Sequence, residues 1–451
     1  MLFRSILYVK GSGWDLETIE PQGFSPVRLD HVLKLTRLAS LSDPEMVNQL
    51  VTHMLKASAP APSIETILHG CLPYKFVDHT HADAVLAVSD TADGEKRIRE
   101  IYGKRCVVIP YLMPGFDLAQ YAAKAFAEQK TPETIGMVLL NHGIFSFGET
   151  ARESYERMIE LVDMAEQYLV RQRAWDVFTG KPAAARVDVA SQAALRRAIS
   201  DRAGAPMIVR TCSSERALAF AAHPELPRMT QQGPVTPDHV IRTKRIPLLG
   251  TDVAAYAAQY AAWFKESEPR AKERKTMLDP APRVVLDPAF GLASAGRTAK
   301  DAAIVEEIYD HTMEAQLRAQ ALGGFRALPS QDLFDVEYWD LEQAKLKKGG
   351  KPPAFAGEVA LVTGAASGIG KAAVASLMAR GAAVLALDLD AKVEAANDRA
   401  DFLGVRCDVT DEAAVRAAID RAVLRFGGID IDRKSTRLNS SHTDISRMPS
   451  S

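Results

Sequence analysis

Short apolar runs alternate along the chain with segments of helical periodicity. Residues 5–10 and 75–77 are apolar enough for strands, and residues 137–140 and 144–148 predict two strands joined as a hairpin. Residues 150–171 follow as an amphipathic helix, because apolar side chains recur every three or four positions. Alternation of this kind predicts layered α/β units.

The alternation continues in the middle of the chain. Residues 207–210 and 284–286 predict strands, and residues 214–222 and 252–265 predict helices, so this region is also expected to be α/β. Residues 236–245 form a basic segment with one histidine, for which we predict a strand. Such a strand could meet a phosphate, but a solvated strand face is the favoured interpretation.

An internal similarity connects the two regions. Residues 143–153 align with residues 291–301, which predicts that the hairpin and its helix occur twice, unless two such joints resemble each other by chance. Phe290 takes the position of His142 in the second copy. The second copy is therefore expected to have no metal site at this position.

A nucleotide-binding pattern begins near residue 358. Residues 358–362 and 383–387 predict buried strands, and the glycine-rich residues 363–370 lie between the first strand and a helix. These glycines let the backbone approach a pyrophosphate at the helix N-terminus. Asp388 ends the second strand, where a carboxylate accepts hydrogen bonds from ribose hydroxyls and disfavours a 2′-phosphate, so NAD is predicted over NADP.

These patterns divide the chain into five parts. We predict an α/β domain at residues 1–190, an α/β middle region at 191–344, a charged linker rich in Gly and Pro at 345–355, and the first half of a Rossmann domain at 356–431. Residues 432–451 have no apolar strand and no periodicity. They are predicted to be a disordered and foreign tail.

Composition narrows the possible partners and location. The chain has 451 residues, 25% of them charged and 47% hydrophobic, with a formal net charge of -2, so neither nucleic acid nor an anionic membrane is an expected partner. The four cysteines include no CxxC pair, and no apolar run approaches the roughly 18 residues of a membrane span. We expect a cytoplasmic enzyme that acts on a small molecule.

Candidate metal chemistry lies in the first region. His79 and His81 are two apart at a strand end, so both imidazoles can face one cation, although two surface histidines would show the same spacing. His142 also ends a strand, beside Gly143. Glu65 lies on a helix predicted to begin at Ser63, on the same face as His69.

Several motifs in this region resemble the class II aldolases of the fuculose/rhamnulose phosphate aldolase and adducin group. The similar segments are residues 63–66 with His69, residues 78–83, residues 110–111 and residues 141–145. The resemblance implies an α/β/α domain that binds Zn²⁺ through His79, His81 and His142, with Glu65 as acid/base. It also implies that Ser12, Gly13 and Ser63 contact the substrate phosphate.

The glycine-rich region resembles the short-chain dehydrogenase/reductase family. The resemblance implies an NAD site built from Thr363, Gly364, Ser367, Gly368, Ile369, Gly370, Asp388 and Asp408, with Asp408 near the adenine. No Tyr-x-x-x-Lys pair follows residue 357, so the catalytic Ser, Tyr and Lys of that family are expected to lie outside this sequence.

The order of the two resemblances is similar to that of bifunctional rhamnulose-1-phosphate aldolase/lactaldehyde dehydrogenases. It implies retro-aldol cleavage of a ketose 1-phosphate and NAD-dependent oxidation of the aldehyde, in a homo-oligomer. We expect the chain to lack the family's first strand and phosphate-binding turn, as well as half of the dehydrogenase. Two alternatives stay open: a sugar or polyol dehydrogenase with an epimerase-like front, and a non-catalytic adducin-like module.

Overall fold

The computed structural model describes residues 6–178, 182–347 and 352–433. It has the predicted mixed α/β class, with three four-stranded sheets and one two-stranded hairpin among these residues. The predicted foreign tail falls outside the described residues from 434 onward, as do residues 348–351 of the predicted linker.

The first unit is built on a four-stranded sheet. Its elements are β1 Ile6–Lys10, β2 Phe24–Arg28, α1 Leu29–Leu35, α2 Asp43–Thr52, α3 Thr66–Cys71, β3 Phe76–Thr80, α4 Asp83–Ser89, α5 Gly94–Tyr102, β4 Cys106–Ile109, α6 Phe116–Gln129, β5 Gly136–Leu139, β6 Gly143–Gly148 and α7 Ala151–Arg171. The strand order is β3-β6-β5-β4. β6 is antiparallel to both neighbours, and β4 is parallel to β5. β1 and β2 form the separate antiparallel hairpin.

The alternation of side chains along the central strands creates two cores. Met137 and Leu139 of β5 and Phe145 of β6 pack on one face with α6 and α1. Val138 and Ile144 point to the other face, where α4 and α7 pack. Because both faces are covered by helices, every residue of β5 and β6 is buried, and the unit has three layers.

The second unit repeats this arrangement. Its elements are α8 Val189–Ala203, β7 Ile208–Cys212, α9 Glu215–Ala221, α10 Leu226–Thr230, α11 Val240–Thr243, β8 Leu248–Leu249, α12 Val253–Ser267, β9 Val284–Asp287, β10 Gly291–Gly296, α13 Ala299–Ala321, α14 Ser330–Glu337 and α15 Asp340–Lys347. The order β7-β10-β9-β8 again has two antiparallel pairs followed by one parallel pair.

The internal sequence similarity falls on equivalent parts of the two sheets. Residues 143–153 form β6 and the start of α7, and residues 291–301 form β10 and the start of α13. Thr150 and Thr298 cap these helices in the same way, each accepting a hydrogen bond from the backbone N–H three residues later.

The third unit is a parallel sheet. Its elements are β11 Val359–Thr363, α16 Gly368–Ala379, β12 Ala383–Asp388, β13 Phe402–Arg406, α17 Glu412–Phe426 and β14 Ile431–Arg433. The strand order β13-β12-β11-β14, all parallel, is that of a Rossmann half-domain. The expected fold class is thereby confirmed.

Side chains join the three units. Ala315 and Ala319 of α13 lie in the same apolar cluster as Val85 of α4, so the second unit packs directly on the first. Arg196 of α8 connects the second unit to the third, since its guanidinium donates to both carboxylate oxygens of Asp430, at 3.0 and 2.6 Å, and to the carbonyl of Gly357.

One prediction for the middle region was wrong. Residues 236–245 are not a strand: Pro237–His239 form a 3₁₀ turn that continues into α11. The proline at the first position of the turn suits a helical start, and Val240 then packs among Leu328, Leu333 and Val336. Among the described residues, no helix is both long and apolar enough to cross a membrane.

Candidate metal centre and nucleotide site

Three histidines meet at one end of the first sheet. His79 lies in β3, His81 follows that strand, and His142 lies in the turn between β5 and β6. Because β3 pairs with β6, the two stretches of chain arrive side by side. One ring nitrogen from each histidine lies within 4.8 Å of the other two, and Nε2 of His79 is 3.1 Å from Nε2 of His81.

Gly143 makes this convergence possible. A Cβ at position 143 would lie 2.5 Å from the carbonyl oxygen of Thr80, and 3.0 Å from ring atoms of both His79 and His81. Any side chain would therefore push β3 and its histidines away from β6. The preceding turn contains Asn141 in the left-handed region, with φ at 58°.

The electrostatics of His79 favour the form that binds metals. Its Nδ1 lies 3.1 Å from the carbonyl oxygen of Ile144, which can only accept, so Nδ1 carries the hydrogen and Nε2 carries the lone pair. Burial, and then the neighbouring His81 and His142, hold the pKa of His79 well below its usual value. A neutral imidazole with Nε2 facing the cluster has the protonation state that metal binding requires.

Glu65 lies directly beside the cluster. It occupies the N-cap of α3, so the helix begins three residues later than Ser63, where we predicted its start. Its Oε1 is 3.5 Å from Nε2 of His142 and 3.7 Å from Nε2 of His79. His69, four residues further on, packs its ring near Phe145, and burial lowers the pKa of His69 to about 4.

Asp238 is a site residue that the sequence did not reveal. It belongs to the second unit, and its Oδ2 lies 3.7 Å from Nε2 of His81 and 4.0 Å from Nε2 of His142. Its position beside the histidines depends on how the first and second units pack together, and a local sequence motif cannot predict such packing. The only local signal was the turn sequence Thr236-Pro237-Asp238, which we had assigned to a solvated strand.

The residues expected to contact phosphate lie on two adjoining loops. The backbone N–H of Ser12 donates to the carbonyl of Ala61 at 2.9 Å, and that of Ser63 donates to the carbonyl of Lys10 at 3.2 Å. Gly13 has φ at 91°, and a Cβ there would meet no atom within 4 Å. The Ser63 hydroxyl accepts from the backbone N–H of Glu65 at 3.3 Å, which links this loop to the carboxylate beside the three histidines.

The donor set fits zinc. Three imidazole nitrogens are the protein ligands of one class of catalytic zinc site, whereas structural sites use four protein ligands. The histidines come from one end of the sheet, where the edge strand β3 is paired along its length with the fully buried strand β6.

The predicted nucleotide residues gather where β11 meets α16. Thr363 ends the strand, Gly364 and Gly368 have φ at 65° and 53°, and Ser367 is the N-cap of α16. A Cβ on Gly370 would lie 2.0 Å from the carbonyl oxygen of Gly364, so only glycine fits there. Ile369 is exposed at the same turn. The fit to a dinucleotide phosphate loop is good.

The two acidic residues of this site follow neighbouring strands. Asp388 ends β12, and its carboxylate oxygens accept from the backbone N–H groups of Ala366 and Asp390, each at 2.9 Å. Asp408 follows β13, and its carboxylate accepts from the backbone N–H of Thr410, which lowers its pKa. Because β12 and β13 are parallel, both carboxylates lie at the same edge as the glycine-rich turn.

Three family models match the chain. Residues 4–169 match the class II aldolase and adducin N-terminal domain, and residues 186–346 match the second domain of class II aldolases. Residues 358–431 match the short chain dehydrogenases. The three matches follow the three structural units.

Individual proteins are also similar to the chain. The uncharacterized oxidoreductase YuxG of Bacillus subtilis is 32% identical over 459 residues, which cover 94% of this chain and 66% of YuxG. D-threitol dehydrogenase of Mycolicibacterium smegmatis is 46% identical over 81 residues, which cover 17% of this chain and 31% of that enzyme. The chain thus spans 66% of the first relative's length and 31% of the second's.

A solved structure matches the front of the chain. The N-terminal class II aldolase domain of a conserved protein from Thermoplasma acidophilum is 41% identical, with a TM-score of 0.34. The match covers 36% of this chain and 75% of that structure.

Proposed function

Since the chain carries class II aldolase domains at its front and a short-chain dehydrogenase domain at its back, we propose that its first unit catalyses zinc-dependent retro-aldol cleavage of a ketose 1-phosphate. The whole protein is proposed to be bifunctional, with its dehydrogenase part oxidising the aldehyde product with NAD. The observation that carries the proposal is the convergence of His79, His81 and His142 beside Glu65.

The histidine cluster provides the metal site. His79, His81 and His142 would hold Zn²⁺ through their ring nitrogens, and the hydrogen bond from His79 to Ile144 keeps one of those nitrogens facing inward. Zinc at this position would supply a Lewis acid for the carbonyl and hydroxyl oxygens of the substrate.

Glu65 is the proposed acid/base. Cleavage of the C3–C4 bond removes a proton from the C4 hydroxyl and returns one to C3 of the fragment that carries the phosphate. Oε1 of Glu65 lies within 3.7 Å of two of the proposed ligands, so it would lie beside a substrate oxygen held at the cluster. A carboxylate there can take up the proton of the C4 hydroxyl and deliver it to C3.

The loops that carry Ser12, Gly13 and Ser63 would hold the substrate phosphate. Their mutual backbone hydrogen bonds fix the two loops against each other, and Ser63 is only two residues from Glu65. A phosphate held here therefore fixes the distance between the anchored end of the substrate and the acid/base, as cleavage at a defined carbon requires.

We propose rhamnulose 1-phosphate as the substrate of the first unit. Its cleavage gives dihydroxyacetone phosphate and lactaldehyde, and lactaldehyde is an aldehyde that an NAD-dependent dehydrogenase on the same chain can oxidise. The nucleotide preference rests on Asp388, whose carboxylate stands at the end of β12 where it disfavours a 2′-phosphate.

Product analysis tests the proposal. Purified chain with zinc and rhamnulose 1-phosphate is expected to release dihydroxyacetone phosphate, measured by its reduction with glycerol-3-phosphate dehydrogenase and NADH. The His142→Ala variant should release none, whereas His223→Ala, a histidine outside the cluster, should retain the rate. Formation of an isomeric ketose phosphate without triose phosphate would indicate epimerisation and reject the aldolase assignment.

A further inference from the structure

The metal cluster of the first unit is flanked by carboxylates on two sides. Glu65 approaches His79 and His142, whereas Asp238 approaches His81 and His142. Both acids therefore lie near His142, and each lies near one of the other two histidines. Only Glu65 belongs to the unit that supplies the histidines.

The distances place Asp238 within reach of a shared cation. Ligands of tetrahedral zinc at about 2.0–2.2 Å from the ion lie roughly 3.3–3.6 Å from one another. Oδ2 of Asp238 is 3.7 Å from Nε2 of His81 and 4.0 Å from Nε2 of His142, slightly beyond that separation. A shift of a few tenths of an ångström would bring the carboxylate to the metal.

The backbone of the second unit holds Asp238 in place. Pro237 begins a 3₁₀ turn, and the hydroxyl of the buried Thr236 donates to the carbonyl oxygen of His142 at 3.5 Å. On the other side, Val240 lies in an apolar cluster with Leu328 and Leu333. The turn is therefore attached both to the metal-binding turn of the first unit and to the core of the second.

A second contact ties the same region together. His311 of α13 lies with Nδ1 2.6 Å from Oδ2 of Asp83, two residues beyond His81. Two separate parts of the second unit, the turn at Asp238 and the helix at His311, thus meet the segment that carries His81. The second unit therefore contacts the first directly beside the histidine cluster, through polar side chains.

We propose that the second unit completes the metal centre of the first, with the carboxylate of Asp238 strengthening metal binding at His81 and His142. The proposal rests on the proposed function, because it requires the three histidines to bind zinc. It assigns a role to the second unit, which contributes none of the three histidines.

Zinc affinity of the full chain tests this role. Asp238→Asn keeps the shape and removes the charge, so we expect zinc affinity, measured by competition with a chromophoric chelator, to fall roughly 10–100-fold. Asp335→Asn is the matched control: it removes one carboxylate from α14 of the same unit, where Asp335 accepts from Gln331 and contacts no histidine of the cluster. The zinc affinity of the Asp335→Asn variant should equal that of the unchanged chain.

The visible spectrum of the Co²⁺-substituted protein gives a second readout. The d–d bands are expected to shift in Asp238→Asn and to stay unchanged in Asp335→Asn, since the bands respond to the groups around the ion. Asp238→Glu retains the carboxylate and should recover most of the zinc affinity. Far-UV circular dichroism shows whether each variant is folded, and Asp238→Ser replaces Asp238→Asn if the latter is not.

The outcomes separate the two proposals. If the unchanged chain binds zinc and Asp238→Asn binds it equally well, with an unchanged cobalt spectrum, the role of Asp238 is wrong and the proposed function stands. An equal loss of affinity in Asp238→Glu and Asp238→Asn would also reject it, because the charge would then not matter. Absence of zinc binding by the unchanged chain would overturn the proposed function itself.

Discussion

Phe290 holds in the second sheet the position that His142 holds in the first. In each sheet the residue lies directly before the returning strand, and the flanking pairs Leu139–Gly143 and Asp287–Gly291 have the same register. His142 faces two other histidines, whereas Phe290 is 3% exposed within an apolar core. The same position of the repeated sheet therefore belongs to a histidine cluster in the first unit and to an apolar core in the second.

The second sheet also has other residues at the positions equivalent to His79 and His81. Thr211 pairs with Ala293 as His79 pairs with Phe145, and its hydroxyl donates to Gln192 at 3.0 Å. Ser213, two residues further on, donates to the carbonyl oxygen of Phe290 at 2.8 Å. In the second sheet, hydroxyl groups that donate hydrogen bonds to protein oxygens therefore stand in place of the imidazole nitrogens of the first sheet.

We therefore expect one zinc ion per chain. Elemental analysis after dialysis against zinc and removal of the excess should give one equivalent for the unchanged protein and much less for His142→Ala. Phe290→Ala, the matched change in the second sheet, should retain the full equivalent. Two equivalents in the unchanged chain would show a second site and contradict the difference between the sheets.

Replacement of Gly143 by alanine should damage both stability and metal binding. The added Cβ would lie 2.5 Å from the carbonyl of Thr80, so we expect a loss of about 1–3 kcal/mol in the free energy of unfolding. It would also displace the rings of His79 and His81, which lie 3.0 Å away. Urea unfolding and chelator competition for zinc measure the two effects.

Gly204→Ala is the control for this prediction. Gly204 has φ at 68° with no atom within 4 Å of an added Cβ, so alanine there should cost roughly 1 kcal/mol from backbone strain alone. Its zinc affinity should be unchanged. Equal zinc affinity in Gly143→Ala would mean that the glycine is not needed to position the histidines.

Acid should destabilise the protein through His69. Burial lowers its pKa from 6.5 to about 4, so between these values the unfolded chain binds a proton that the folded chain does not. Stability is then retained above pH 6.5 and falls by about 1.4 kcal/mol per pH unit for this group as the pH drops towards 4. Urea unfolding from pH 7.5 to 4.5, with chelator present to exclude metal release, measures the slope.

The His69→Phe variant isolates this contribution. The ring lies near Phe145 in the folded protein, so an apolar ring can occupy the same space. We expect the dependence of unfolding free energy on pH to be shallower in this variant below pH 6.5. An unchanged slope would assign the acid sensitivity to other groups, such as the similarly shifted His239.

Asp388→Ser should weaken binding of NADH more than that of NADPH. The change removes a carboxylate that is placed to accept from ribose hydroxyls, so a loss of about tenfold in NADH affinity is expected, near 1.4 kcal/mol. Fluorescence titration with each nucleotide measures the ratio. Asp390→Ser removes an acid two residues away that caps a short turn, and the ratio should stay the same in that variant.

Local sequence patterns predicted much of this structure. The strand that contains His79 and the strand that precedes His142 were identified from apolar runs bounded by polar residues, and the glycine-rich turn before α16 from its spacing. Both features depend on residues close together in the chain. The confirmed α/β class follows from the same alternation of strands and helices.

Contacts between units could not be predicted in this way. Asp238 is separated from His81 and His142 by long stretches of chain, and its approach depends on α13 packing against α4. The basic residues after it suggested a solvated strand, but Val240 is buried and the segment turns into a helix. Tertiary packing outweighed the local pattern there.

The guanidinium of Arg196 has a consequence for how the molecule unfolds. It donates to the carbonyl oxygens of Met207 and Gly357 and to the carboxylate of Asp430. One side chain thus joins the residue before β7 to the residues just before β11 and β14. Detaching the third unit would break the ion pair with Asp430 and the hydrogen bond to Gly357, both of which involve a guanidinium that is largely shielded from water. We therefore expect Arg196 to couple the unfolding of the nucleotide-binding unit to that of its neighbour.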